Sequence, residues 1–198
     1  MEFDRIRNLL APIATSEGAL GLRDDVAMLE ARPGAIVTTD ALVEAVHFLP
    51  SDPVNLVARK LVRVNVSDIL AKGAAPVEAL LTVGWPQTRP EHEFSDFVDG
   101  LADELSFWSI NLIGGDSVKS PGGLFLSMTL TGHPLRQAPV LRSGAGVADD
   151  IYVTGEIGWG WLGLQAALRG DAEPGAIDHY RVPQLAGRDA AKLVAAHA

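Results

Sequence analysis

The sequence predicts an α/β (α+β) fold, in which a mixed β-sheet with two packed helices precedes the start of a second α/β domain. Apolar runs of strand length alternate with two long segments whose apolar residues recur every three or four positions, and Gly, Pro and Asp separate these runs. Hydrophobic residues make up 47% and charged residues 21% of the 198-residue chain, a composition that favours a buried core.

The apolar periodicity assigns most of the chain to helices and strands. The predicted helices are residues 3–10, 53–70, 88–108 and 161–169 and a C-terminal helix, and the predicted strands are residues 26–29, 35–39, 43–49, 77–83, 111–115, 124–131 and 151–154. Asp52 is predicted to cap the second helix, and Thr88 is predicted to form a capping box with Glu91 at the third.

A domain boundary is expected within residues 134–140, which divides the chain into residues 1–136 and 137–198. The second part is short, and it stops in an apolar helical stretch that has no C-terminal cap. We therefore expect residues 137–198 to be the beginning of a domain that is incomplete.

Composition excludes several classes of function. The chain has 16 Lys+Arg against 25 Asp+Glu, a net charge of −9, which disfavours nucleic acid as a partner. It has 0 Cys, so disulfides, thiolate metal sites and cysteine nucleophiles are excluded, and oxygen or imidazole must hold any metal. We see no signal peptide and no apolar run of about 20 residues, so we expect a cytoplasmic protein without membrane contact.

Acidic residues stand where the predicted strands begin and end. Asp24 and Asp25 precede a strand, and Asp40 and Asp116 each end one. Carboxylates at strand ends can converge on one ion, and all-oxygen sites suit Mg²⁺ or Mn²⁺. The alternative is that each Asp belongs to an ordinary turn.

Asp68 falls on the apolar stripe of the second helix, following Val57, Leu61 and Val64 at helical spacing, with Asn65 beside it. A buried carboxylate needs a cation, a metal ion or several hydrogen-bond donors. The alternative is that the helix has already ended near Asn65 and that Asp68 caps a turn.

Four further features leave alternatives open. Gly115, next to Asp116, allows close approach of a ligand or forms a tight turn. His47 lies on a predicted strand and is a core residue, a metal ligand or a ligand contact, with the core position favoured. Arg142 follows the domain junction and either clamps phosphate or is a solvated linker residue. The glycines of residues 155–160 are more typical of a structural turn than of a phosphate loop.

Five segments match the motifs of one family in order: Asp24-Asp25-Val-Ala, Val37-Thr-Thr-Asp40 with Val43-Glu-Ala-Val-His47-Phe48, Asn65-Val-Ser-Asp68 with Lys72-Gly-Ala, Ile113-Gly-Gly-Asp116, and Val153-Thr-Gly155. On these segments the chain resembles the thiamine-monophosphate kinases, within the aminoimidazole ribonucleotide synthetase-like superfamily of ATP-using enzymes. Selenophosphate synthetase, a relative that typically uses Cys or selenocysteine, is disfavoured because Cys is absent.

The resemblance implies transfer of the γ-phosphoryl group of ATP to thiamine monophosphate, with several Mg²⁺ ions, in a homodimer whose strands form a shared barrel. It assigns catalytic roles to Asp40, Asp68 and Asp116 and a thiamine-phosphate contact to His47. The metal ligands that it implies are Asp24, Thr38, Thr39, Asp40, Asp68 and Asp116, and the nucleotide contacts are Trp108, Gly115, Asp116 and Arg142.

Two departures from the family pattern bear on these roles. Arg23 replaces a common Gly beside Asp24, and an Ile-Asp-x-Ser-Asp-Gly-Leu segment that supplies further ligands is absent. The chain is therefore expected to lack part of the site. Two other functions stay open: a different ATP-using enzyme of the superfamily, or a dimerising fragment that binds metal or nucleotide without catalysis.

Overall fold

The computed structural model describes residues 2–23, 28–29, 32–143, 145–170 and 174–198. Its helices and strands are α1 (Glu2–Arg5, continued by a π-helical turn at Ile6–Leu10), β1 (Ile36–Val43), α2 (Val54–Leu70), β2 (Ala74–Pro86), α3 (Glu91–Trp108), β3 (Asn111–Ser120), β4 (Phe125–Pro134), α4 (Trp159–Arg169), α5 (Pro174–Arg181) and α6 (Ala190–His197). The predicted helices are confirmed, whereas β2 and β3 are longer than predicted.

The strands form one mixed sheet, which confirms the predicted fold class. Its order is β1-β4-β2-β3, so that β1 and β3 are the outer strands. β4 runs antiparallel to both β1 and β2, whereas β2 and β3 are parallel. α3 connects the parallel pair, because parallel neighbours require a crossover connection.

One face of the sheet is covered by helices and the other is open. On the covered face, Leu126, Met128 and Leu130 of β4 are 0% exposed, and α2 packs against β1 and β4 while α3 packs against α2. Side chains alternate between the faces of a strand. The open face carries exposed apolar residues on all four strands: Val37, Leu80, Val118 and Phe125.

The two predicted helix caps are wrong. Pro53 and Pro90 occupy the N-cap positions of α2 and α3, and neither has a side-chain capping bond. The carboxylate of Asp52 binds the loop before α2 and a residue of α5 instead. Glu91 pairs with Arg5 through a 2.8 Å hydrogen bond from Arg5 Nε, so the capping box with Thr88 does not form. Asp52 and Glu91 thus each bind a residue distant in sequence instead of forming the predicted cap.

The strand predicted at residues 43–49 is also wrong. β1 ends at Val43, and the chain then turns with Ala45 at a φ of 64°, a left-handed conformation outside the β region. His47 therefore lies in an exposed turn, and the core position favoured from the sequence is wrong. Of the strand predicted at residues 26–29, residues 26–27 lie outside the described part, and Met28 and Leu29 belong to no strand.

The described secondary structure of residues 137–198 consists of the helices α4, α5 and α6. The strand predicted at residues 151–154 is wrong, and Ile151, Tyr152 and Val153 are 93%, 88% and 60% exposed. No described strand pairs with this segment, so its backbone has no ladder to join. α4 and α5 pack closely at Gly163. A Cβ at this position would lie 1.9 Å from the carbonyl oxygen of Ala176. Of the helices in the described ranges, none combines the length and the apolar character that a membrane span requires.

Candidate active site

Asn65 fixes β1 against α2. Its side chain is 0% exposed, and Oδ1 accepts the backbone N–H of Asp40 at 3.0 Å while Nδ2 donates to the carbonyl oxygen of Leu61 at 3.0 Å. β1 is an outer strand, so one of its edges lacks a neighbouring strand, and a buried N–H without a partner would be destabilising. The amide thus places Asp40 next to the last turns of α2.

Asp68 lies one turn beyond Asn65 on α2, where it contacts Thr38 of β1. Thr38 Oγ1 donates to Asp68 Oδ2 at 2.9 Å. Thr38 and Asp40 share a face of β1 because they are two residues apart. α2 continues to Leu70, so the proposed early helix end is wrong, and Asp68 is exposed rather than buried on the apolar stripe. The buried polar residue at this point is Asn65.

The electrostatics of Thr38, Asp40 and Asp68, here called the β1–α2 cluster, favour a cation. Burial raises the pKa of the Asp40 carboxyl, the charge of Asp68 raises it further, and His47 partly offsets both. Among the described residues, no Lys or Arg forms an ion pair with either carboxylate. Two adjacent carboxylates and a hydroxyl are hard oxygen donors, which fit a Mg²⁺ ion.

Other predicted metal ligands lie apart from this cluster. Thr39 points to the opposite face, where its hydroxyl donates to the carbonyl oxygen of Met128 at 3.1 Å. Asp116 is exposed on β3, and the register aligns it with Ala41 across the two inner strands. Asp24 lies outside the described residues. Within the described ranges, no three Asp, Glu, His or Cys side chains are grouped closely enough to bind a metal ion.

Gly115 has a structural reason to be glycine. Its φ is 152°, and a Cβ at this position would lie 1.8 Å from the carbonyl oxygen of Leu81 on β2. The backbones of β2 and β3 approach each other here next to a register irregularity. Gly115 therefore gives Asp116 its place on β3, so the tight turn considered from the sequence is wrong.

Trp108 and Arg142 occupy contrasting environments. Trp108 is 5% exposed, and its Nε1–H donates to Glu104 Oε1 at 2.9 Å. Its indole N–H is thus engaged within the protein, and its ring lies edge-on to Phe107, with the ring centroids 5.1 Å apart. Arg142 is exposed on the segment that leads into the second part of the chain.

Sequence reasoning missed a buried ionic group. Glu104 is 1% exposed and accepts from Arg59 Nε at 2.9 Å and from Arg63 Nε at 2.6 Å. Burial raises its pKa, but the bonds from Arg63, Arg59 and Trp108 outweigh burial and hold the pKa below its usual value. The sequence does carry a signal for this buried group. Glu104 follows Leu101 at helical spacing, which places it on the apolar face of α3.

His47 is held in its turn by its own ring. Nδ1 accepts the backbone N–H of Val43 at 3.0 Å, and the carbonyl oxygen of His47 accepts from Lys60 Nζ at 2.9 Å. In a neutral imidazole whose Nδ1 accepts, Nε2 carries the proton. The exposed ring can therefore donate from Nε2 to an anionic ligand.

A protein-family model matches the region that contains this sheet. Residues 23–133 match the N-terminal domain of AIR synthase-related proteins. The matched region contains the whole sheet up to His133 together with α2 and α3. The chain therefore belongs to the AIR synthase-related protein family.

Within that family, the chain is similar to thiamine-monophosphate kinases, which confirms the resemblance. It is 42% identical to the enzyme of Caulobacter vibrioides over 188 residues, 92% of this chain and 53% of that enzyme. The structure of thiamine-monophosphate kinase from Stenotrophomonas maltophilia superposes with a TM-score of 0.81 at 29% identity, over 97% of this chain and 63% of that one.

A further solved structure, AaThiL complexed with AMPPCP and TMP, superposes with a TM-score of 0.74 at 29% identity, over 81% of this chain and 52% of that one. This chain spans about half the length of the curated relatives that it matches.

Proposed function

We propose that this chain is the N-terminal part of a thiamine-monophosphate kinase, which phosphorylates thiamine monophosphate to thiamine diphosphate with ATP. The observation that carries the proposal is the β1–α2 cluster, where Asn65 and Thr38 hold Asp40 and Asp68 beside each other. The named relatives and the AaThiL complex with AMPPCP and TMP support the choice of reaction.

Asp40, Asp68 and Thr38 would hold Mg²⁺, and Asp24, Thr39 and Asp116 are the further ligands that the family resemblance proposes. When bound, Mg²⁺ supplies positive charge between anionic substrates. The chain's own contribution is geometry: the Asn65 bond keeps Asp40 against α2, so the carboxylates need little rearrangement on binding.

The substrates would meet different parts of the chain. The proposed nucleotide contacts are Trp108, Gly115, Asp116 and Arg142. His47 is the proposed contact to thiamine monophosphate, because its exposed Nε2–H can donate to a phosphate oxygen. His47 lies near enough to Asp40 to offset part of the rise in the pKa of the Asp40 carboxyl, which supports an acceptor contact beside the β1–α2 cluster.

We also propose a homodimer formed through the open face of the sheet. That face exposes Val37, Val118 and Phe125 by 68%, 48% and 38%, and exposed apolar patches of this kind mark interaction surfaces. A second copy would cover the same residues in both chains, as a two-fold interface requires. The division at residue 136 and the cytoplasmic location stay predictions.

An acceptor screen tests the proposed reaction. The chain is incubated with ATP, Mg²⁺ and one acceptor at a time: thiamine monophosphate, other phosphate monoesters or carboxylates. The proposed acceptor is thiamine monophosphate, so wherever ATP is consumed we expect thiamine diphosphate to form with this acceptor and no consumption with the others. Consumption with a different acceptor alone would favour another enzyme of the family, and none with any acceptor would favour the non-catalytic fragment.

A further inference from the structure

The turn that carries His47 is fixed by residues distant in sequence. Here the His47 turn means residues 44–49. On one side, Glu44 Oε2 accepts from Arg89 at 2.9 Å and from the backbone N–H of Leu124 at 2.8 Å. On the other side, Lys60 Nζ donates to the carbonyl oxygen of His47 at 2.9 Å. The turn is therefore held at its start and near its end.

The last residue of the turn meets a residue of α5. The backbone N–H of Leu49 is shared between Asp52 Oδ2 at 2.9 Å and the hydroxyl oxygen of Tyr180 at 3.1 Å. The Tyr180 hydroxyl in turn donates to Asp52 Oδ2 at 2.8 Å. The Leu49 N–H, the Asp52 carboxylate and the Tyr180 hydroxyl thus form a triangle of hydrogen bonds. This triangle joins residues 137–198 to the His47 turn.

This triangle is buried and electrically balanced. Tyr180 is 7% exposed and Asp52 is 5% exposed. Arg181 Nε donates to the second oxygen of Asp52 at 2.9 Å, which neutralises the carboxylate. Burial, followed by the bond to Asp52, raises the pKa of the Tyr180 hydroxyl, so it keeps its proton and remains a donor.

Lys60 links the triangle to His47. Its Nζ lies 4.2 Å from the centre of the Tyr180 ring, while the same atom donates to the carbonyl oxygen of His47. A cation over an aromatic ring is attracted to it. Displacing Tyr180 would therefore disturb the His47 turn at both Leu49 and His47.

We infer that Asp52 and Tyr180 are positioning residues that hold the His47 turn in the conformation that receives the phosphate of the acceptor substrate. The role of His47 rests on the proposed function, whereas the geometry of the triangle does not. The consequence is that α5 controls an acceptor site whose contacting residue lies in the first part of the chain.

Tyr180→Phe tests the inference, because it removes the hydroxyl and keeps the ring. Its matched control is Tyr152→Phe, at a tyrosine that is 88% exposed. The 198-residue chain is titrated calorimetrically with thiamine monophosphate and, separately, with AMPPCP in Mg²⁺. We expect Tyr180→Phe to weaken thiamine monophosphate binding about tenfold, the effect of one buried hydrogen bond, and to leave AMPPCP binding unchanged.

NMR of the His47 imidazole supplies a readout independent of any substrate. We expect Tyr180→Phe to shift the His47 ring nitrogen signals and the Leu49 amide signal, and Tyr152→Phe to leave both in place. Should Tyr180→Phe fail to fold, Asp52→Asn, which weakens the same bonds and keeps the shape, carries the same test.

Two results would overturn the inference. One is unchanged His47 and Leu49 signals in Tyr180→Phe, and the other is an equal loss of AMPPCP and thiamine monophosphate binding, which is the mark of a general structural role. If the wild-type chain binds no thiamine monophosphate, the proposed function fails, and the NMR signals still decide whether Tyr180 holds the turn.

Discussion

The side-chain oxygen of Asn65 accepts the backbone N–H of Asp40 at 3.0 Å, so a fully buried amide on α2 sets the position of a carboxylate on the outer strand β1. The other half of the amide is used by the carbonyl oxygen of Leu61. Because the side chain of Asn65 is fully buried, its role is to hold Asp40 rather than to contact a ligand.

Replacing Asn65 by Ala is expected to destabilise the fold by about 2 kcal/mol, because the N–H of Asp40 loses its partner in a buried place. Asn55→Ala, at an exposed position of the same helix, is the matched control. Urea denaturation measures both. An Asn65→Ala protein as stable as the control would show that the bond contributes nothing.

Glu104→Gln is expected to reduce stability at pH 7 by about 2 kcal/mol, because Arg63 and Arg59 lose a buried anion. The folded protein holds the pKa of Glu104 below the unfolded value of about 4.3. Its stabilisation is therefore complete above that value and is lost as the pH falls through the folded pKa.

Unfolding measured between pH 7 and pH 3 should show the gap between wild type and Glu104→Gln closing in acid. Glu17→Gln, at an exposed glutamate, is the control and should follow the wild type throughout. A gap that stays constant down to pH 3 would contradict the assigned pKa direction.

Gly115→Ala is expected to destabilise the protein by at least about 2 kcal/mol, because the added Cβ would overlap the carbonyl oxygen of Leu81. Gly122→Ala is the control, since a Cβ there meets nothing within 4 Å. Thermal unfolding compares the two variants. Equal melting temperatures would mean that β2 and β3 do not approach as closely as described.

Val118→Glu is expected to dissociate the proposed dimer, because it places charges on the open face of the sheet. Val118 is 48% exposed, and Leu193→Glu, at a residue of α6 that is 57% exposed, is the matched control. Sedimentation velocity gives the mass of each. Dissociation of the dimer by Leu193→Glu but not by Val118→Glu would contradict an interface on the open face of the sheet.

The apolar periodicity is sufficient to predict α2, α3 and four strands that overlap those of the sheet, since burial of one helix face and one sheet face leaves a regular pattern. It is not sufficient for features that depend on distant partners. Asp52 follows the pattern of a local cap, yet Tyr180 and Arg181 bind it. Alternating residues after Val43 indicated a strand, but the bonds of His47 close a turn.

The candidate site was predictable in part. Thr38, Asp40 and Asp68 are among the metal ligands that the resemblance implies, and in the structure Thr38 donates to Asp68 while the charge of Asp68 acts on Asp40. The position of Asp116 depends on the order of strands in the sheet, which local pattern does not encode. Helical spacing predicted Asp68 on the apolar stripe of α2, but the rotation of the helix buries Asn65 and leaves Asp68 exposed.

Calorimetric titration with AMPPCP in Mg²⁺, followed by thiamine monophosphate, tests the β1–α2 cluster most directly. The wild-type chain is compared with Asp68→Asn and with Asp150→Asn, the latter at an exposed acid outside the cluster. We expect the wild type and Asp150→Asn to bind and Asp68→Asn to lose at least about tenfold in Mg²⁺-dependent affinity. Binding by Asp68→Asn with wild-type affinity would contradict the assignment of this cluster as the metal site.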